Sequence, residues 1–411
     1  MTKKEVNLLL EQLETLAQFK PKAEIYYNRV VQYKGTIYIN LGDEGNNAIA
    51  INKKGWKIVK NPPVRFKTSQ FIKPLPLPVK GGKIEDLLEI TNLNPEQLIL
   101  VAGWLLGTLS PNPPYPLLII TGEQGSGKSS LARMLKQLID PGKGVLRSQP
   151  QDERSLMVAA KNTWVLGFDN LSRLSQSLSD GLCRLSTGNS YVARRLYSDG
   201  EQTVIEAARP VIITSIADTV TNGDLLDRSI CIHLDPIEPK KRRSEKEINL
   251  RFEQLKPKIL GLLCTAVSQA LANRAEVNLE ESPRMADFAE WITAAEPALG
   301  FEAGTFLQAY QTNRQQSQRL TIEDSLLALA IQSLLERESC WQGTATELLK
   351  FIKRYAAEHE YSACDLPRAA NKLSGQLRKD APGLRTVGLE VNFERRGKAG
   401  TRVIKIEKIA L

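Results

Sequence analysis

The chain has 411 residues, with 55 Lys+Arg against 46 Asp+Glu and a formal net charge of +9. This length predicts two to four domains, and the 42% hydrophobic and 25% charged residues exclude wholesale disorder. The longest near-continuous apolar stretch, Leu98 to Gly107, is about half of a membrane-spanning helix. We therefore expect no membrane partner. The N-terminus lacks a signal-peptide pattern, and the five scattered cysteines argue against a zinc cluster or disulfide framework. We expect a reducing, cytoplasmic location.

The first segment of the chain reads as a helix followed by a small β-rich module. Leucines recur at helical spacing within residues 1–20, and β-rich runs with glycine turns fill residues 23–73. A Pro/Gly linker follows, so we place the first domain at residues 1–83. Four lysines surround Trp56, namely Lys53, Lys54, Lys57 and Lys60. Two roles stay open for this module: a collar that contacts DNA, or a domain that only packs against the rest of the chain.

The central segment alternates strands with helices. After helices over residues 84–109, five apolar strands are predicted at residues 117–121, 144–147, 164–168, 211–215 and 230–234. Helices lie between them, which predicts an α/β fold with a parallel five-stranded sheet covered on both faces. We place this core at residues 84–240 and a helical lid at residues 241–335. The last domain, 336–411, is predicted as two helices followed by a β-hairpin.

The most specific motif is a glycine-rich loop after the first of these strands. Its residues match the pattern G-x-x-x-x-G-K-[ST] at every required position, and a helix follows. Glycines let backbone N–H groups wrap a phosphate chain, the lysine reaches the terminal phosphates, and the serine hydroxyl ligates Mg²⁺. The predicted ATP-binding residues are Gly122, Glu123, Gln124, Gly125, Ser126, Gly127, Lys128, Ser129 and Ser130.

An acidic residue at the end of a neighbouring strand is expected to complete the Mg²⁺ site. Asp169 closes the strand at 164–168, and its alternative role is to cap the next helix. Many NTPases of this type place Glu after that Asp, but this chain has Asn170, which orients water without accepting a proton. The first candidate base is then Glu153 and the second Asp152; helix capping is the alternative for both.

Three further features lie between the predicted strand at 164–168 and the last strand, at 230–234. Two extended runs, 191–198 and 201–206, are joined by Asp199-Gly200, a strong hairpin signal. Thr214 or Ser215 ends the strand at 211–215, where a side chain would sense the γ-phosphate or the attacking water. Arg228 precedes the last strand, at the edge of the core.

These features resemble the AAA+ class of P-loop ATPases. Within it the chain looks like superfamily 3 viral helicases, minichromosome-maintenance helicases and the primase-associated helicases of phages and integrative elements. The resemblance rests on Gly122–Ser129, Asp169-Asn170, the 191–206 hairpin, Thr214-Ser215 and Leu225-Leu226-Asp227-Arg228, and it covers roughly residues 110–240. It implies a ring, usually a hexamer, whose hairpin tracks single-stranded DNA through Arg194 and Arg195.

In that class an arginine from one subunit acts on the ATP of its neighbour, and the resemblance assigns this role to Arg228. A local ion pair with Asp224 or Asp227 is the alternative. A solvated hairpin face is the alternative for Arg194 and Arg195. Two roles are open for Arg284: it contacts phosphate from the lid, or it forms a structural ion pair with Asp287.

The C-terminal pattern resembles a winged helix with a basic hairpin tip. Such basic residues contact DNA phosphates, although winged helices also bind proteins. The predicted DNA-binding residues of this domain are Arg368, Lys372, Arg395, Arg396 and Lys398.

Residues 1–83 carry +9 and residues 341–411 carry +6, whereas residues 84–340 carry −6. Two basic ends favour a nucleic acid partner, and a solvated lysine-rich surface is the alternative.

We therefore expect an ATPase acting as a ring-forming DNA helicase or translocase in replication of a phage, plasmid or integrative element. Single-stranded or forked DNA and a primase or other replication protein are the expected partners. An ATP switch without unwinding activity, such as an initiator or helicase loader, and a small-molecule P-loop kinase are the alternatives.

Overall fold

The structure is a computed structural model that describes most of the chain. The described residues are 2–18, 25–69, 71–172, 174–194, 202–216, 223–279, 281–323, 325–336, 339–359, 361, 366–396 and 401–409. None of the helices within these ranges is both long and apolar enough to cross a membrane.

The N-terminal segment forms a helix and an antiparallel meander, as predicted. Its elements are α1 (Lys3–Gln18), β1 (Tyr26–Tyr27), β2 (Val30–Tyr33), β3 (Thr36–Asn40), β4 (Asn47–Asn52), β5 (Gly55–Lys60) and β6 (Arg65–Phe66). Strands β2 to β5 pair in sequence order, and β1 pairs with β6 in parallel. The turn at Lys34-Gly35 has φ angles of 48° and 76°, the left-handed backbone that a two-residue hairpin requires.

A mixed α/β core with a parallel sheet follows. Its elements are a 3₁₀ helix (Ile84–Glu89), α2 (Pro95–Gly107), β7 (Leu117–Gly122), α3 (Lys128–Ile139), α4 (Glu153–Asn162), β8 (Leu166–Leu171), α5 (Gln176–Thr187), β9 (Ser190–Arg194), β10 (Gln202–Glu206), β11 (Val211–Ser215), α6 (Gly223–Leu226) and β12 (Ser229–Leu234). The sheet has the order β12-β7-β11-β8 and all its pairs are parallel. Strands β9 and β10 pair antiparallel, as expected of the arms of the predicted hairpin, and its predicted turn, Asp199-Gly200, lies outside the described residues.

The expectation of five strands is wrong for the described residues, where this sheet has four. The segment predicted as a strand at 144–147 contributes a single parallel bridge, Arg147 to Phe168. Gly144 at its start has φ 65°, a left-handed conformation that interrupts an extended strand. Arg147 reaches the sheet edge, where its N–H donates to the Gly167 carbonyl and its carbonyl accepts from the Asp169 N–H.

Both faces of the sheet are buried, and alternate residues of a strand face opposite sides. Leu118 and Ile120 of β7 belong to one apolar cluster, which also contains residues of β3, β4, α2 and α7. Leu117 and Ile119 belong to a second cluster with α4 and α5. The first cluster is continuous from the N-terminal meander into the core, so it crosses the predicted limit at residue 83.

Helices and a second antiparallel sheet complete the chain. Their bounds are α7 (Glu245–Asn273), α8 (Ala286–Thr293), α9 (Glu296–Leu299), α10 (Thr305–Glu323), α11 (Leu326–Leu334), β13 (Cys340–Gly343), α12 (Ala345–Glu358), α13 (Ala370–Thr386), β14 (Leu389–Arg396) and β15 (Thr401–Lys408). Strand β13, which was not predicted, pairs with β15, and β15 pairs with β14. A third apolar cluster joins α11 to the elements that follow it. The limits 84–240, 241–335 and 336–411 and the winged-helix assignment stay predictions.

Candidate functional site

The glycine-rich loop, residues 122–129, joins β7 to α3 through backbone conformations that favour glycine. Gly122, Gly125 and Gly127 have φ angles of 143°, 84° and 90°, which L side chains rarely adopt. A Cβ on Gly122 would also lie 2.4 Å from the carbonyl oxygen of Leu234. The loop therefore needs these glycines for its shape, and α3 begins directly behind it. Glu123, Gln124 and Gly125 form its exposed turn, whereas Ser126 is fully buried and its hydroxyl bonds the Glu123 carbonyl.

Lys128 lies beneath this loop. Its ammonium donates hydrogen bonds of 2.6 Å to the carbonyl oxygens of Gly122 and Glu123. Burial lowers the pKa of Lys128, and the nearby Asp169 carboxylate acts in the opposite direction. A buried cation whose hydrogen bonds, among the described residues, go to neutral carbonyls is well suited to pairing with an anion that enters the loop.

The ends of α3, β8 and β11 bring three polar side chains together at Asp169. The Ser129 hydroxyl donates to the Asp169 carboxylate at 2.7 Å, and the Thr214 hydroxyl donates to the same Oδ1 at 2.5 Å. This places the predicted residues Lys128, Ser129, Asp169 and Thr214 in one constellation. It lies at the carboxyl ends of parallel strands, where α/β sheets bind ligands.

The donor set at this point fits Mg²⁺. Hydroxyl and carboxylate oxygens are its preferred ligands, and Mg²⁺ usually takes one or two protein groups with waters and phosphates completing the shell. Among the described residues no group of three or more His, Cys, Asp or Glu could hold a metal by itself. Ser129 and Asp169 therefore fit a shared protein–phosphate site rather than a closed protein cage.

Asn170 occupies a backbone position that restricts which residue can follow Asp169. Its φ is 54°, and its N–H donates to the Thr214 hydroxyl at 2.9 Å. Asparagine and aspartate enter this left-handed region more readily than other L residues. The Asn170 side chain is exposed, so it is free to orient water.

The two candidate bases both have structural partners. Glu153 pairs with Arg184, whose Nε donates to Oε1 at 2.8 Å. Asp152 caps α4, accepting from the Ser155 N–H at 2.7 Å. Glu153 would have to leave Arg184 to accept a proton. Arg184 itself was missed from the sequence because its partner lies 31 residues away.

Of the two candidate sensor residues, Thr214 and Ser215, it is Thr214 that contacts Asp169. Ser215 is fully buried, and its hydroxyl has no hydrogen-bond partner among the described residues. It lines a separate cavity of about 570 Å³ together with Thr121 and His233. The structure thus places the two neighbouring side chains in different surroundings.

Arg228 forms the local ion pair that was the alternative to a trans-acting role. Its guanidinium pairs with the Asp224 carboxylate and donates to the Asp224 carbonyl at 2.8 Å. The Arg228 side chain is only 15% exposed. In this conformation the arginine is held by contacts within its own chain.

Asp227, next to Arg228, binds two arginines from the helical region. Arg284 donates to Asp227 at 2.8 Å and pairs with Asp224 at 2.9 Å, and Arg314 also pairs with Asp227. The Arg284–Asp287 pair, one of the two roles open for Arg284, is not formed; Asp287 pairs with Arg274 instead. Arg314 carries no local sequence signal, since its partner is 87 residues away.

The predicted DNA-binding residues are spread over two regions. Arg194 ends β9, opposite Gln202; its side chain and Arg195 lie outside the described residues. Arg368, Lys372 and Arg395 are exposed, whereas the Arg396 side chain and Lys398 lie outside the description. Lys372 lines a cavity of about 1080 Å³ that also touches Asp224 and Asp227.

Comparison of the sequence with known families places the chain in a class: the replication proteins of mobile genetic elements. A family model described as "Actinomycete integrative conjugative element replication protein" matches residues 84–317, and the "AICE RepA C-terminal domain" matches residues 327–410. Because the first match covers more than half of the chain, the protein belongs to this family of actinomycete integrative conjugative element replication proteins. The second match begins at α11, the helix that packs with the C-terminal elements.

Three similar solved structures all belong to the NrS-1 C-terminal region. "The A form apo structure of NrS-1 C terminal region-CTR" is 12% identical and covers 92% of this chain and 97% of its own, with a TM-score of 0.38. A second A form apo structure (305-718) is 12% identical, with 99% and 90% coverage and a TM-score of 0.35. A third apo structure is 13% identical, with 92% and 97% coverage and a TM-score of 0.35. These similarities are too distant to define the site. No curated protein matches the chain.

Proposed function

We propose that this replication protein is an ATP-dependent, ring-forming DNA helicase or translocase of the AAA+ class that acts in the replication of its mobile element. The observation that carries the proposal is the Asp169 carboxylate, which accepts hydrogen bonds from both Ser129 and Thr214 beside the glycine-rich loop. These are a metal-binding hydroxyl, a metal-binding carboxylate and a sensor hydroxyl in one hydrogen-bonded group. Family membership supplies the replication context.

In this proposal each residue acts on an ATP phosphate chain. The loop N–H groups and Lys128 neutralise the phosphates, and Thr214 fixes the Asp169 carboxylate. Ser129 and Asp169 would hold Mg²⁺, which would supply further positive charge to the phosphate chain. Asn170 orients the attacking water, and Arg228 or the more exposed Arg284 stabilises the charge of the neighbour's phosphate.

A second candidate function is an ATP-switched initiator or helicase loader that binds DNA without unwinding it. Two observations favour it. Asn170 stands where a base is expected, and Arg228 is bound to Asp224 within the same subunit. Both would slow hydrolysis and suit a protein that holds ATP for long periods.

One experiment separates the candidates: the ATPase rate with and without single-stranded DNA, measured together with unwinding of a forked duplex. DNA-stimulated hydrolysis with strand separation supports the helicase, and hydrolysis without separation supports the switch. Phosphate transferred to a small acceptor would instead indicate a kinase. Lys128→Ala should abolish nucleotide binding, whereas the control Lys161→Ala, an exposed lysine on α4, should not. Retained turnover in Lys128→Ala would refute the assigned site.

A further inference from the structure

A basic cavity lies on the N-terminal side of the molecule, between the β4–β5 hairpin, the linker at residues 80–82 and helix α7. Its volume is about 850 Å³. Lys53, Lys54, Lys57 and Lys80 line it, and no lining residue in the described part of the chain is acidic. The cavity therefore gathers four of the lysines that make the first 83 residues basic.

The hairpin side of this basic cavity is fixed to α7 by side-chain hydrogen bonds. The Trp56 indole donates to the Thr265 hydroxyl at 3.1 Å, and the Ser268 hydroxyl donates to the Asn52 carbonyl at 2.6 Å. Asn52 also accepts from the Lys54 N–H at 2.8 Å, which shapes the hairpin tip. The lysines of the hairpin thus project from a framework that is already ordered.

The linker side is fixed just as closely. The Val79 N–H donates to the Pro257 carbonyl at 2.9 Å. A Cβ on Gly82 would lie 2.3 Å from the Lys258 carbonyl oxygen, and one on Gly261 would lie 2.0 Å from the Val79 carbonyl oxygen. Only glycine at both positions allows the linker to lie directly on α7, and this contact holds Lys80 at the edge of the cavity.

The charge of the basic cavity is uncompensated. All four lysines are exposed, and within the described residues none of them pairs with a carboxylate. Four like charges around one cavity repel, and a bound polyanion would relieve this repulsion. Because three of the lysines lie on the β4–β5 hairpin and Lys80 lies on the linker, they border the cavity from two elements, which suits a chain of phosphates better than a single small anion.

We propose that the basic cavity is a DNA-binding site that contacts the sugar-phosphate backbone without reading its sequence. Lysine ammonium groups contact phosphates as point charges, which fixes the nucleic acid but carries no sequence information. This site is separate from the hairpin and C-terminal arginines predicted from the sequence. It rests on the proposed function only in taking DNA as the polyanion, and it needs neither ATP hydrolysis nor ring formation.

The test is the salt dependence of DNA binding by the full-length chain without nucleotide. A variant with Lys53, Lys54, Lys57 and Lys80 changed to Gln is compared with a control in which Lys34, Lys161, Lys246 and Lys353, all exposed elsewhere, are changed to Gln. Fluorescence anisotropy between 50 and 200 mM salt gives the slope of log affinity against log salt. We expect the slope for the cavity variant to be shallower by roughly 3 to 4 for duplex DNA and roughly 3 for single strands.

A control slope that differs from wild type by the same amount would overturn the proposal, and so would a wild-type slope in the cavity variant. The double variant Lys53→Gln/Lys54→Gln changes only the exposed hairpin tip, and we expect about half the effect. Unchanged basal ATPase in both variants checks folding. If ATPase is absent from wild type but the slope changes as expected, the proposed function fails and the DNA site stands.

Discussion

At the scale of single residues, the hydrogen bonds around Asp169 explain why asparagine follows it. The Asn170 N–H must turn back to the Thr214 hydroxyl, which in turn donates to Asp169. That turn requires the positive φ of Asn170. A glutamate there would meet the steric cost of the left-handed region, about 1–2 kcal/mol. The backbone at Asn170, where β8 pairs with β11, therefore favours asparagine over the expected glutamate.

We predict that Asn170→Glu lowers the free energy of unfolding by about 1 kcal/mol. We expect Asn170→Asp to be as stable as wild type, because aspartate tolerates this backbone conformation. Urea denaturation of the two variants measures the difference. Both variants add a carboxylate, but only the Asp variant is expected to keep the backbone that holds it near the attacking water, so its ATPase rate should exceed that of the Glu variant. Equal stability of the two variants would contradict the backbone explanation.

At the scale of elements, a buried ionic group joins the N-terminal meander to the parallel sheet. Asp140, at the end of α3, accepts from Arg29 at 3.0 Å and from the N–H groups of Trp164 and Val165 at 3.1 and 3.0 Å. Lys136 is its fourth partner. Burial alone would raise the pKa of Asp140, but Lys136, Arg29 and the Val165 N–H hold it below its usual value.

We predict that Asp140→Asn destabilises the protein by about 3–5 kcal/mol, because it leaves Arg29 and Lys136 buried without a counter-charge. The matched control is Glu245→Gln, which removes the exposed pair with Arg133 and should cost about 0–1 kcal/mol. Chemical denaturation at pH 7 measures both. Similar losses in the two variants would show that the buried group does not join these elements.

Helix α13 contains a carboxylate that opposes folding at neutral pH. Burial raises the pKa of Asp380 to about 6, although Gln376 and Lys379 act in the opposite direction. Because the folded pKa exceeds the unfolded value, the folded state favours the neutral acid. Stability is then lost as the pH rises from about 4 to 6.

Asp380→Asn, which cannot ionise, should therefore raise the melting temperature at pH 7.5 and have little effect at pH 4. Its advantage over wild type should grow between these values and level off above pH 6. Thermal denaturation across this range tests the sign, with the exposed Glu358→Gln as a control that should show no such trend. A stabilisation that is the same at every pH would exclude titration of Asp380 as its cause.

At the scale of the whole molecule, the sequence allowed us to predict features that depend on residues close together in the chain. It did not allow us to predict contacts between residues that are far apart in the chain. The glycine-rich loop is contiguous, and Asp169 and Thr214 were recognisable because each ends an apolar strand. The buried Asp140 group was not, because Arg29 is 111 residues away. The partners of Asp227 likewise depend on packing rather than on local pattern, whereas the loss of the fifth strand follows from the left-handed backbone of Gly144.

The corner at α6 is where the core, the helical region and the C-terminal elements meet. Asp227 binds Arg284 and Arg314 from the helical region, and Lys372 of α13 lines the adjoining cavity. In a ring, Arg228 would have to exchange Asp224 for the phosphate of the neighbouring subunit. Its activity would then depend on contacts between subunits rather than on its own chain alone.

We predict that mixing Arg228→Ala subunits with wild type lowers DNA-stimulated ATPase more than in proportion to the mutant fraction, because each mutant subunit inactivates the site of its neighbour. Arg274→Ala, which removes the separate pair with Asp287, is the control and should only dilute the activity. Arg228→Lys keeps the charge but loses the planar guanidinium, so it should behave like Arg228→Ala if the arginine acts on phosphate, and like wild type if it serves only to pair with Asp224. A linear dilution curve for Arg228→Ala would place its action within its own subunit.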